Sequence, residues 1–106
     1  MDEYGAVEEL FGDLIDEVAL EAPVSRGRLV AALARADAHG PPADSAATVR
    51  DGLAVHRLPV DGWNAVAAAC GLTPAAEVAA REVHRRLAAA LGVAADPTEA
   101  VFVRRA

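Results

Sequence analysis

Four residues carry the side chains best suited to metal binding or acid–base chemistry: His39, His56, His84 and Cys70. An imidazole ligates zinc or moves a proton near neutral pH, and a thiolate serves as ligand or nucleophile. Their spacing argues against both uses. No two of them form the close pair that nucleates a zinc site. Nothing orients Cys70 and His84 as a nucleophile with its base. Cys70 follows Ala67-Ala68-Ala69 and precedes Gly71-Leu72, the setting of a small buried apolar residue. His39 falls near a helix C-terminus, where a cation is favoured. The acids of the first 22 residues follow no calcium-loop pattern and lack a glycine where such a loop needs one. No glycine-rich phosphate loop and no serine-nucleophile motif is present. The expectation is no metal, no cofactor and no catalysis.

Arginine offers a different chemistry, the recognition of phosphate. Ala67–Thr73 reads as a helix end, a glycine turn and a new start, and the helix that follows carries Arg81, His84, Arg85 and Arg86. This is the outline of a helix-turn-helix, with Arg81, Arg85 and Arg86 as the candidate nucleic-acid contacts. Glu77 stands where that motif wants an apolar residue. The arginines come late in a helix whose first turns would do the reading. The chain has a net charge of −6, whereas DNA affinity rests mostly on neutralising phosphates. A small helix-turn-helix regulator is therefore the alternative reading, and two helices joined by a capped turn are the plain one.

The elements that would position these residues read as helices. Hydrophobic residues make up 54% of the 106, and nearly half of them are Ala, the best helix former but one that buries little area. Val7, Leu10, Phe11, Leu14, Ile15 and Val18 share one helical face, and Pro23 ends that helix. Ser25 caps a second helix that runs to about His39, and Gly40-Pro41-Pro42 stops it. Asp44 or Ser45 caps a short third helix through Val49 and Leu53, with Val55–Leu58 as an alternative extended segment. Trp63–Cys70 forms a fourth. Thr73 caps a fifth, with Pro74 at its first position, running to Leu91. Asp96-Pro97-Thr98-Glu99 resembles a helix start, whereas Ala100-Val101-Phe102-Val103 has the composition of a strand. The sum is an all-α domain over residues 1–106, a bundle of about five short helices with a C-terminal segment that is helical or extended.

Charge and core size suggest what such a domain does. Residues 1–22 hold eight acids and no base, and the remaining eight acids are set against ten arginines, with no Lys. A core so rich in Ala and so poor in aromatic residues is thin, and association would bury more area without more chain. The expected function is a non-catalytic helical protein–protein interaction module whose partner is a second copy of itself, as a homodimer, or another protein. Trp63, Val101, Phe102 and Val103 are the candidate interface, an anchor and an apolar run beyond the last clear helix. The acidic N-terminus is unlike a secretory signal, and no apolar run approaches the ~20 residues that span a bilayer. The single cysteine allows no intramolecular disulfide, which is consistent with the cytoplasmic setting expected of this chain.

Overall fold

A computed structural model describes residues 3–43 and 45–106. Five helices and three strands follow in the order α1 (Glu3–Phe11), α2 (Asp13–Glu21), α3 (Arg26–His39), β1 (Ala46–Arg50), β2 (Leu53–Pro59), α4 (Gly62–Cys70), α5 (Pro74–Ala90) and β3 (Glu99–Arg105). The strands form one antiparallel sheet in the order β1-β2-β3. The architecture is α+β, which overturns the all-α bundle expected from composition.

The correction falls on two segments. Residues 45–59 form no third helix. Thr48, Val49 and Val55 are β-branched, and between the two runs stands Asp51-Gly52, with φ of 51° and 78°. Positive φ at both central residues is the two-residue hairpin turn whose twist matches that of paired strands. It pairs Arg50 with Leu53, Thr48 with Val55 and Ala46 with Arg57. Ser45 caps no helix, and Asp44 lies outside the described residues. At the other end, Glu99–Arg105 is a strand throughout, paired with β2 from Pro59↔Glu99 to Leu53↔Arg105. Its Ala-Val-Phe-Val run suits a sheet buried on both faces.

The first amphipathic stripe also divides. Gly12 takes φ 55° and ψ −132°, a conformation that side-chain-bearing residues rarely adopt, and this breaks the run into α1 and α2. The stripe stays on one side of the break: Val7, Phe11, Ile15 and Val18 are all buried, with Leu10 and Leu14 half-buried against them. α3 begins at Ser25, whose hydroxyl accepts from the Arg28 N–H at 3.3 Å, and ends at Gly40. α5 begins at Thr73, whose hydroxyl accepts from the Ala76 N–H at 3.2 Å, with Pro74 next in line.

The sheet is covered on both faces over β2 and β3. One face presents Leu58, Ala100 and Phe102 to the helical layer, where they join Phe11, Ile15, Leu29, Leu33, Trp63 and Val83 in the main core. The other face presents Val55, Val101 and Val103 to Ala88 at the end of α5 and to Val93 in the connection beyond it. β1 stands apart from this: its main packing partner is β2, and four of its five residues are exposed.

Candidate functional site

Three clusters and one strand edge could bear function. The first cluster lies beneath β3. His84, on α5, is 1% exposed and sits among three aromatic rings, with centroid distances of 4.7 Å to Phe11, 5.0 Å to Trp63 and 4.8 Å to Phe102. The Val103 N–H donates to its Nδ1 at 2.9 Å, so the neutral ring carries its proton on Nε2. Nε2 has no hydrogen-bond partner. Burial alone drives the imidazole pKa down to about 3, from an ordinary 6.5. Beside it, the Trp63 Nε1–H donates to the Val101 carbonyl at 2.8 Å. Residues two apart on a strand turn their backbone groups to the same side. The Val101 carbonyl and the Val103 N–H thus both belong to the outer edge of β3, the edge away from β2. Trp63 and His84 close that edge with side chains.

This answers where the expected interface residues are. Trp63, Phe102 and Val103 are fully buried and Val101 is 3% exposed. The apolar surface that composition offered to a partner is taken up within the chain. β3 lies between β2 and the helices, so its run packs inward on both faces.

The second cluster joins Ser45, His56 and Arg104. The Arg104 Nε–H donates to His56 Nε2 at 3.3 Å, and Ser45 Oγ lies 2.9 Å from His56 Nδ1. The Ser45 hydroxyl donates to the Pro42 carbonyl at 2.7 Å. With Nε2 accepting, the proton sits on Nδ1 and is donated to Ser45. Every hydrogen bond therefore runs in one direction, from arginine to histidine to serine to backbone. A serine nucleophile needs the opposite polarity, with the imidazole accepting from the hydroxyl. Burial first, and then the nearby Arg104 charge, hold the His56 pKa below its usual value.

The third is an open groove of about 660 Å³ between α5 and the 93–101 segment, lined in part by Trp63, Val78, Val93 and Val101 and by Arg81 and Arg85. The arginines singled out for phosphate are engaged within the chain. Arg81 pairs with Glu77 at 3.4 Å and Arg85 with Glu82 at 2.6 Å. Arg86 reaches Glu82 at 2.7 Å and Glu21 at 2.9 Å, tying α5 to α2. Arg85, and after it Arg86, hold the Glu82 carboxyl down to about 2. α4 and α5 do form two helices joined by a turn at Gly71, which takes the left-handed conformation (φ 65°).

The remaining candidate ligands stay apart. His39 Nδ1 meets the Gly40 carbonyl at 2.8 Å, and the half-buried Cys70 thiol donates to the Arg35 carbonyl at 3.5 Å. Burial pushes that thiol up from its ordinary pKa, away from the thiolate a nucleophile requires. Among the described residues no three His, Cys, Asp or Glu side chains are grouped so as to hold a metal ion. None of the described helices is long and apolar enough to cross a membrane.

The edge of β1 is the counterpart of the closed edge of β3. The two-residue turn makes Arg50 and Leu53 a hydrogen-bonded pair, so by alternation Thr48 and Ala46 also bond to β2. The N–H and C=O groups of Ala47 and Val49 then point outward. Consistently, the Val49 carbonyl accepts from the exposed Arg50 guanidinium at 3.1 Å. Val49 itself is 59% exposed. No proline, lysine or bulge blunts this edge. Periodicity could not reveal the closed edge, because Trp63, His84 and β3 are brought together only by tertiary packing. The open one was signalled by Asp51-Gly52 between β-branched residues.

Neither curated proteins nor solved structures give a match to this chain. A family model matches residues 6–105, a span that takes in both sheet edges and all three clusters. The chain belongs to the family described as Domain of unknown function (DUF8048).

Proposed function

We propose that this chain is a non-catalytic interaction module that works by pairing with a second copy of itself, in the cytoplasm. The observation that carries the reading is the contrast between the two sheet edges. β3 has two of its outer backbone groups, the Val101 carbonyl and the Val103 N–H, bonded to Trp63 and His84, whereas β1 leaves those of Ala47 and Val49 facing outward beside an exposed Val49. An edge strand with no covering element, whose one charge is the Arg50 beside the turn, is a surface on which sheets extend. The reading as a non-catalytic protein draws on the polarity of the Arg104–His56–Ser45 chain, which leaves no base to activate the hydroxyl. It draws also on a thiol pushed upward by burial.

Sedimentation equilibrium at tens of micromolar tests the reading. A dimer is expected at both low and high salt. A monomer under both conditions would overturn it.

A further inference from the structure

We infer that two copies join through β1 itself, as an antiparallel pair whose two-fold axis passes through Thr48, so that the two three-stranded sheets become one sheet of six strands. The inference rests on the self-association proposed above and specifies its surface and register.

The strand is self-complementary about Thr48. Its outward-facing residues, Ala47 and Val49, flank that position symmetrically. Under a two-fold there, Ala47 of each copy meets Val49 of the other as a hydrogen-bonded pair, exchanging two bonds at each meeting. Both strands then have all their outward donors and acceptors satisfied. This is the one two-fold register that overlaps all five residues of β1. A shift to Ala47 or Val49 leaves one end of the strand beyond its partner.

The side chains agree with that register. On one face Val49 packs against Ala47 of the second copy, which covers the exposed large apolar residue of the strand. On the other face Thr48 meets Thr48, a favourable cross-strand pair, and Arg50 meets Ala46, so no like charges stand opposite each other. The Arg50 guanidinium that now holds the Val49 carbonyl is solvent-exposed and gives way to a strand N–H. Because β1 packs mainly on β2, no other element depends on its outer side.

The test uses the full chain with Cys70→Ala, so that any added thiol is the only one. Thr48 of one copy would face Thr48 of the other as a non-hydrogen-bonded pair, with Cα atoms about 4.5 Å apart, inside the range a disulfide spans. Thr48→Cys should therefore cross-link to a covalent dimer on mild oxidation, whereas Leu20→Cys, on the exposed side of α2, should not. Separately, Ala47→Pro removes one outward N–H and should weaken dimerisation by roughly tenfold or more, with an unchanged circular dichroism spectrum. If the proline perturbs the strand, Val49→Lys tests the same edge by charge. Cross-linking at residue 48 with weakened dimers in the edge variants supports the inference. A wild-type dimer that neither cross-links there nor responds to the edge variants overturns it, while the self-association reading stands. A wild-type monomer overturns both.

Discussion

At His84 a polar ring is held where no charge can be accommodated. Phe11, Trp63 and Phe102 surround it, and its one hydrogen bond is to the Val103 N–H, which needs the neutral ring as acceptor. Its pKa falls to about 3 in the folded chain against 6.5 when exposed. The unfolded state therefore takes up a proton that the folded state refuses. Stability is complete above pH 6.5 and is lost as pH falls from there toward 3, by about 1.4 kcal/mol per pH unit. Between pH 7 and 5 the loss should be about 2 kcal/mol, read from urea unfolding at each pH. His56, also lowered, adds to the slope with the same sign. The diagnostic is thus His84→Gln, which keeps an acceptor for Val103 but cannot ionise, and whose profile should be flatter over that window. The window is clear of Glu82, whose depressed carboxyl acts only below the ordinary carboxylate range. An equally steep profile in the variant would place the titrating group elsewhere.

The elements divide into those written locally and those written by contact. Ser25 and Thr73-Pro74 announce α3 and α5, because a cap is made by residues three apart and needs no distant partner. The stripe from Val7 to Val18 was equally plain, but it concealed the break at Gly12. A periodic face can run through two helices as readily as through one when both rest on the same core. Paired substitutions make the distinction measurable. A Cβ at either Gly12 or Gly27 would meet nothing within 4 Å, so backbone conformation alone decides the outcome. Gly12→Ala, at φ 55°, should destabilise by about 1 kcal/mol or more. Gly27→Ala, in the first turn of α3, should stabilise by about 0.5–1 kcal/mol. Both are read from thermal or urea unfolding, and the same sign for the two would contradict the break. The hairpin was harder to read because Ala46-Ala47 favours helix by composition. The Asp51-Gly52 turn and the neighbouring strand outweigh that preference only once pairing is possible. Trp63 reads in sequence as an anchor of the core or of an interface, and Phe102 as part of a run that either folds back on the core or meets a partner, since an aromatic residue looks the same in sequence whichever it serves.

Across the whole molecule, charge and association separate. The acids of α1 and α2 are answered partly within the chain, with Arg26 paired to Glu8 and Asp16 and Arg86 paired to Glu21 and, at a longer distance, to Glu17. An interface of backbone hydrogen bonds and a Val–Ala contact carries no comparable ionic component. The dimer dissociation constant should therefore change less than about threefold from low to high salt, measured by sedimentation, because only exposed charges are screened. A steep loss of dimer with salt would point instead to the acidic helices meeting arginines of the other copy. The contrast between the sheet edges also governs how many chains can assemble. A pairing that joins β1 to β1 uses the one open edge of each copy, and the far edges of the enlarged sheet are both β3, already plugged by an indole and an imidazole. In the assembly proposed above, growth would therefore terminate at two, and the same plugs that complete the core would act as chain stoppers against the open-ended stacking that leads to fibres.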